Sequence, residues 1–126
     1  MKENSEICRV VIADDEAEFR GWLRSLLNAS EAFRLVGEAK NGSEAIQLID
    51  KLVPDLVIAD VFMPDLDGLE VLQSISKKYP SIKIILTSSC DERVYSKLAK
   101  EEGALCFIPK AELSLDSLFR LCQYPE

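Results

Sequence analysis

Residues 55–72 read DLVIADVFMPDLDGLEVL, and they show most clearly how this 126-residue chain is organised. The stretch opens with a short apolar run at residues 56–59, which is typical of a buried β-strand and ends at Asp60. The loop MPDLDG follows, and the apolar spacing after it predicts a helix. A buried strand, a loop and a helix in this order form one repeating unit of an α/β protein.

The same unit recurs along the whole chain. The predicted strands are Cys8–Ala13 and residues 35–40, 56–59, 82–86 and 104–108, each followed by a helical pattern. The turn Asn41-Gly42 precedes the second helix, for which Ser43 is a suitable N-cap, and the fourth helix is expected over residues 91–102. Strands that alternate with helices pair in parallel through right-handed crossovers. We therefore predict a single α/β domain over residues 1–126, with a doubly wound five-stranded parallel sheet in the flavodoxin-like order 2-1-3-4-5 and helices on both faces.

The composition argues against several classes of function. The chain has 15 Lys and Arg against 22 Asp and Glu, a net charge of −7, so we expect this segment to bind neither nucleic acid nor membrane. No signal peptide or membrane-spanning run is apparent, which favours a cytoplasmic location. The sequence has four cysteines without a CxxC pair and no histidine, which argues against a zinc site and against Ser–His or Cys–His catalysis.

Chemically capable side chains stand where the predicted strands end. They are Asp14 and Asp15 after the first strand, Asp60 at the end of the third, Thr87 and Ser88 after the fourth, and Lys110 after the fifth. Taken singly, each has an ordinary structural explanation, such as a helix N-cap for the acidic pair. Because ligands bind beyond the carboxyl ends of parallel strands, we expect the whole set to meet in one crevice.

Clustered carboxylates repel one another unless a cation neutralises them. Mg²⁺ suits a site that has oxygen ligands and meets a phosphate, and Lys110 adds a further positive charge. The pattern therefore indicates phosphoryl transfer onto Asp60, with Mg²⁺ and Lys110 neutralising the phosphoryl oxygens.

Three motifs together resemble the receiver domain of bacterial two-component response regulators. They are IADDE at residues 12–16, the stretch at residues 55–72, and GALCFIPK at residues 103–110, within a match over about residues 6–122. The resemblance implies that a sensor histidine kinase or a phosphotransfer protein phosphorylates Asp60. It also implies that the domain is a regulatory switch that catalyses only its own phosphorylation and dephosphorylation, and is not otherwise an enzyme.

The resemblance also implies the role of each site residue. Asp15 and Asp60 would ligate Mg²⁺ directly, together with the backbone carbonyl of Phe62. Asp14 would act largely through a metal-bound water, and Lys110 would contact the phosphoryl group.

The resemblance assigns the remaining roles to Ser88 and Phe107. Ser88 would be the hydroxyl that engages the phosphoryl group, with Thr87 as the alternative after a one-residue shift in register. Phe107 would be the switch aromatic, for which a plain core residue is the alternative.

This chain departs from common family patterns at two places. Ala111 follows Lys110 where the family often has proline, and Pro109 precedes it, so the geometry of the last loop is open. Phe62 and Cys90 flank the route of water to the phosphoryl group, and the family often has a polar residue where Phe62 stands. We therefore hypothesise slow self-dephosphorylation.

Three other functions are alternatives to a phosphorylation switch. A degenerate receiver that only binds partners is one alternative, and a Mg²⁺-dependent phosphatase or a flavin-binding module are weaker ones.

The thin apolar stripe of the fourth helix predicts a mobile segment. By the resemblance, this helix, the fifth strand and the last helix form the output face, through which a homodimer is expected. The chain is either the N-terminal part of a DNA-binding transcription regulator, with its output domain absent or truncated, or a free-standing receiver.

Overall fold

A computed structural model describes residues 7–89 and 94–122 of the chain, in which strands and helices alternate. The strands are β1 (Cys8–Ala13), β2 (Phe33–Ala39), β3 (Leu56–Asp60), β4 (Lys83–Ser88) and β5 (Cys106–Pro109). The helices are α1 (Ala17–Asn28), α2 (Gly42–Leu52), α3 (Gly68–Ser76), α4 (Val94–Glu101) and α5 (Leu115–Cys122). In addition, a short 3₁₀ helix, Lys110–Glu112, follows β5 and was not predicted.

The strands form one sheet in the order β2-β1-β3-β4-β5, and every neighbouring pair is parallel. This confirms the predicted fold class and strand order. Strand β3 lies at the centre of the sheet, and all five of its residues are buried. Parallel pairing brings the carboxyl ends of β1, β3, β4 and β5 to the same edge of the sheet.

The two faces of the sheet carry separate apolar layers, because successive side chains of a strand point to opposite faces. Helices α1 and α5 cover the face that includes Ile12, Ile58 and Ile85. Helices α2, α3 and α4 cover the face that includes Leu86 and Phe107. In the part of the chain that the structure describes, no helix combines the length and the apolar character needed to cross a membrane.

Several predicted boundaries were wrong by a few residues. Ser43 does not cap α2, because Asn41 does: its side-chain oxygen accepts a hydrogen bond from the backbone N–H of Glu44 at 2.9 Å. Strand β4 runs on to Ser88, so both candidate hydroxyls belong to the sheet. Helix α4 is described from Val94, and residues 91–93 of the predicted helix lie outside the described residues.

The loop after β3 returns closely past the end of that strand. The backbone N–H of Gly68 donates to the carbonyl of Val61 at 3.0 Å. A Cβ atom on Gly68 would lie 2.3 Å from the carbonyl oxygen of Asp60, far inside van der Waals contact. Helix α3 then starts with a reciprocal capping box between Asp67 and Glu70, with both hydrogen bonds at 2.9 Å. These contacts hold the end of β3 in place.

We expect Gly68→Ala to destabilise the fold by about 2 kcal/mol or more, because the added methyl group must push the β3 backbone aside. Gly21→Ala is the matched control. Gly21 lies in α1, and its added Cβ would meet nothing closer than 3.8 Å. That substitution should leave the stability unchanged or raise it by about 0.5–1 kcal/mol. Urea unfolding of both variants tests this, and equal stabilities would contradict the close approach.

Candidate functional site

The register of β1 against β3 brings the acidic residues together. Ala13 pairs with Ala59, so the next residues, Asp14 and Asp60, lie side by side where β1 and β3 end. Asp14 and Asp60 are buried, and Asp15 is exposed. One carboxylate oxygen from each of the three lies within 4.8 Å of the others. The three predicted metal-ligating carboxylates therefore do converge at this edge of the sheet.

Asp14 is held by several contacts in the turn between β1 and α1. Its Oδ1 accepts a hydrogen bond from the backbone N–H of Glu16 at 2.8 Å. Its carbonyl oxygen accepts a hydrogen bond from Nη1 of Arg20 at 2.7 Å. Burial raises the pKa of the Asp14 carboxyl to about 6, and the nearby Lys110 and the Glu16 N–H offset only part of that effect. Asp14 is thus a buried acid whose ionised form needs positive charge nearby.

Lys110 supplies that charge from the start of the 3₁₀ helix. Its ammonium nitrogen Nζ lies 2.8 Å from Oδ2 of Asp14, 3.0 Å from Oδ2 of Asp60 and 2.8 Å from Oε1 of Glu16. The ring of Phe19 lies on another side, with its centroid 4.3 Å from Nζ. Burial works to lower the pKa of Lys110, but the three carboxylates together raise it above the ordinary lysine value.

The loop around Lys110 contains Pro109 and Ala111, the two residues whose order departs from the common family pattern. Pro109 is the last residue of β5 and has an extended backbone, and Ala111 lies inside the 3₁₀ helix. With this loop, the lysine nitrogen still reaches Asp60. The departure from the common family pattern therefore does not displace the lysine.

The donor set fits a hard divalent cation. Three carboxylates offer oxygen ligands within a few ångströms of one another, one of them exposed to solvent. Oδ2 of Asp14 is buried and accepts no hydrogen bond from the described residues, although Lys110 forms an ion pair with it. A cation or its bound water would satisfy such an oxygen. This edge of the sheet is therefore an acidic pocket suited to a metal ion.

The two candidate hydroxyls lie on opposite faces of β4. Thr87 pairs with Asp60 and shares its face of the sheet, while Ser88 shares the face of Phe107. Both hydroxyl residues are buried. Within the described residues, Oγ1 of Thr87 has no hydrogen-bond partner, and the Thr87 carbonyl accepts from the N–H of Val61 at 2.8 Å. The choice between Ser88 and Thr87 stays a prediction.

A line of aromatic rings leads from the acidic pocket to the predicted switch residue. The Phe62 backbone N–H donates to Oδ1 of Asp60 at 3.0 Å, and its side chain is 52% exposed. The ring of Phe62 meets the ring of Tyr95 edge-on at 5.6 Å, and Tyr95 lies 6.2 Å from the buried ring of Phe107. Cys90, the other residue predicted to flank the water route, lies outside the described residues.

Sequence reasoning did not assign three residues that take part in this arrangement. Glu16 and Phe19 both contact Lys110, and Tyr95 joins Phe62 to Phe107. For Glu16 the available signal was its place directly after the acidic pair. The periodic apolar pattern gave no sign that Phe19 or Tyr95 lies near the pocket.

Comparisons with known proteins agree with this geometry. The family model "Response regulator receiver domain" matches residues 10–121. A protein-glutamate methylesterase/protein-glutamine glutaminase of Pyrococcus abyssi is 39% identical over 108 residues, which cover 85% of this chain and 29% of that protein. The chemotaxis protein CheY of Listeria monocytogenes is 37% identical over 102 residues, covering 81% of this chain and 85% of CheY.

A solved structure shows the same likeness in three dimensions. The signal receiver domain of the response regulator NarL from Mycobacterium tuberculosis superposes with a TM-score of 0.78 at 33% identity, covering 86% of this chain and 87% of that domain. The chain spans less than a third of the length of the methylesterase that it resembles, but most of CheY. The chain belongs to the response regulator receiver domain family.

Proposed function

We propose that this domain is a phosphorylation switch that accepts a phosphoryl group on Asp60. The observation that carries the proposal is the position of Asp60, buried at the end of the central strand with Lys110 3.0 Å from its Oδ2. An ammonium beside the acceptor carboxylate neutralises charge on phosphoryl oxygens. A covalent aspartyl phosphate forms when the carboxylate oxygen attacks phosphorus and the donor's leaving group departs.

We propose that Asp15, Asp60 and the backbone carbonyl of Phe62 hold Mg²⁺, with Asp14 contributing through a bound water. Three carboxylates, those of Asp14, Glu16 and Asp60, contact one ammonium, and the carboxylate of Asp15 lies close to two of them. This arrangement leaves an excess of negative charge. When bound, Mg²⁺ supplies the positive charge that lets an anionic phosphoryl donor approach these carboxylates. The phosphatase alternative lacks a second acid two residues after the nucleophile, where Phe62 stands.

Ser88 is our choice for the hydroxyl that engages the phosphoryl group. Its spacing from Asp60 matches the family, and it shares the face of the sheet with Phe107, which is the ring expected to respond. Thr87 is the alternative, because it pairs with Asp60 itself. Movement of Phe107 would then change the face formed by α4, β5 and α5.

The remaining proposals concern the phosphoryl donor, the location of the protein and its output. We propose a sensor histidine kinase or a phosphotransfer protein as the phosphoryl donor, and the cytoplasm as the location. The single domain over residues 1–126 would control its output by homodimerisation through α4, β5 and α5. We propose this domain as the N-terminal part of a DNA-binding transcription regulator, with a free-standing receiver as the alternative.

The acceptor can be tested by intact mass after incubation with acetyl phosphate and Mg²⁺. We expect the protein to gain one phosphoryl group, and Asp60→Asn to gain none. Asp116→Asn is the matched control, since it removes the same charge at an exposed position of α5 and should behave like the wild type. Omitting Mg²⁺ should abolish the gain. A modified Asp60→Asn protein, or an unmodified wild type, would overturn the proposed acceptor.

The aspartyl phosphate should decay slowly because the apolar ring of Phe62 hinders the attacking water. We expect Phe62→Asn to speed hydrolysis on the order of tenfold, which corresponds to about 1.4 kcal/mol of barrier. Val53→Asn, at an exposed apolar position in the turn before β3, is the control and should leave the lifetime unchanged. Loss of phosphoprotein mass over time measures both. Rapid decay in the wild type without acceleration in Phe62→Asn would contradict the hypothesis.

The raised pKa of Asp14 predicts a pH effect on the stability of the metal-free protein. Unfolded Asp14 releases its proton near pH 3.8, but the folded protein holds that proton to about pH 6. Between these values the folded state binds more protons, so this group's contribution to the free energy of unfolding falls as the pH rises. The variant Asp14→Asn lacks this carboxyl group, so its stability does not carry this pH dependence.

We therefore expect the stability of Asp14→Asn relative to the wild type to increase by on the order of 2 kcal/mol between pH 4 and pH 7. Urea unfolding of both proteins in a chelator measures this difference. A constant difference between Asp14→Asn and the wild type across this range would show that burial does not raise the pKa of Asp14.

A further inference from the structure

The ammonium of Lys110 is enclosed by acidic side chains in this structure. An ammonium group carries three N–H donors. Three carboxylate oxygens lie at hydrogen-bonding distance, those of Asp14 and Glu16 at 2.8 Å and that of Asp60 at 3.0 Å. The ring of Phe19 covers another side at 4.3 Å. A phosphoryl oxygen can therefore approach Lys110 closely only if one of these partners leaves.

The three carboxylates differ in how easily they can leave. Asp14 and Asp60 are buried, and their positions follow from the ends of β1 and β3. The side chain of Glu16 is 58% exposed. Replacing its ion pair with Lys110 by hydrogen bonds to water therefore costs little free energy. Glu16 is the N-cap residue of α1, yet its side chain makes no capping hydrogen bond. Releasing Lys110 therefore does not weaken the start of the helix.

The contact with Glu16 is a hydrogen bond as well as an ion pair. Nζ of Lys110 donates a hydrogen bond to Oε1 of Glu16, whereas Oδ2 of Asp14 accepts no hydrogen bond despite the equal distance. The exposed side chain of Glu16 thus accepts an N–H of Lys110. A phosphoryl oxygen can accept that N–H instead once the exposed side chain is displaced.

We propose that Glu16 is a positioning residue that holds Lys110 in the unphosphorylated protein and gives it up to the phosphoryl oxygens. This inference rests on the proposed function, because it assigns a competitor to the lysine of that same site. In the free protein Glu16 keeps the ammonium oriented and adds negative charge that opposes an arriving anion. On phosphorylation the Glu16 carboxylate moves into solvent, and the N–H of Lys110 that it had accepted donates to the phosphoryl group instead.

The test is a titration with beryllofluoride, an anion that mimics a phosphoryl group on a carboxylate, at saturating Mg²⁺. Glu16→Gln keeps the size of the side chain and removes its charge. We expect it to bind beryllofluoride on the order of tenfold more tightly than the wild type, because the competitor for a charge-assisted hydrogen bond is lost. Glu18→Gln removes the same charge from a neighbouring exposed position that has no contact with Lys110, and we expect less than about twofold change.

A second variant separates the contact from the charge. Glu16→Asp keeps the charge on a shorter side chain, and aspartate at an N-cap favours bonding to the backbone N–H groups of the helix. It should therefore release Lys110 and bind beryllofluoride more tightly than the wild type, although less so than Glu16→Gln. The affinity for Mg²⁺ and the urea midpoint of Glu16→Gln should match those of Glu18→Gln, which a general structural effect would not give.

The outcomes separate this inference from the proposed function. If the wild type binds beryllofluoride but Glu16→Gln behaves like Glu18→Gln or binds more weakly, the competition is overturned and the phosphoacceptor function stands. If the wild type binds no beryllofluoride with Mg²⁺ present and gains no phosphoryl group on Asp60, both are overturned.

Discussion

The ion pairs of Lys110 with Asp14 and Asp60 link the ends of β5, β1 and β3 at the carboxyl edge of the sheet, and the site depends on them. Two carboxylates buried side by side repel each other, and burial raises the pKa of Asp14, which further disfavours its ionised form. One lysine lies 2.8 Å from the first and 3.0 Å from the second. Its charge offsets part of that repulsion and leaves enough negative charge to attract a divalent cation.

The sheet provides the positions for these charges. Parallel pairing places the carboxyl ends of neighbouring strands at one edge, and the register of Ala13 with Ala59 sets the two buried acids side by side. The close return of the loop at Gly68 holds the Asp60 backbone from the other side. Asp60 therefore lies on a buried strand of the sheet, while Glu16, Asp15 and Phe62 around it are exposed to solvent.

The polar residues around Asp60 lie on two different faces of the sheet. Asp60 and Thr87 share the face covered by α1 and α5, whereas Ser88 and Phe107 share the other. Ser88, the proposed hydroxyl, lies on the Phe107 side of β4, so its engagement of a group on Asp60 would link the chemistry to the α4 side. The rings of Phe62, Tyr95 and Phe107 form a second link on that same side.

The sequence by itself determined the fold class, the strand order, and the meeting of Asp14, Asp15, Asp60 and Lys110 at one edge. These follow from short-range periodicity and from the rule that parallel strands end together, which need no knowledge of side-chain positions. The tertiary structure alone decided that Glu16 binds Lys110 across 94 residues of sequence, and that Tyr95 lies between two other rings. It also decided that Asn41 and not Ser43 caps α2. Such contacts depend on where exposed side chains turn once the backbone is in place, and hydrophobic spacing carries no information about that.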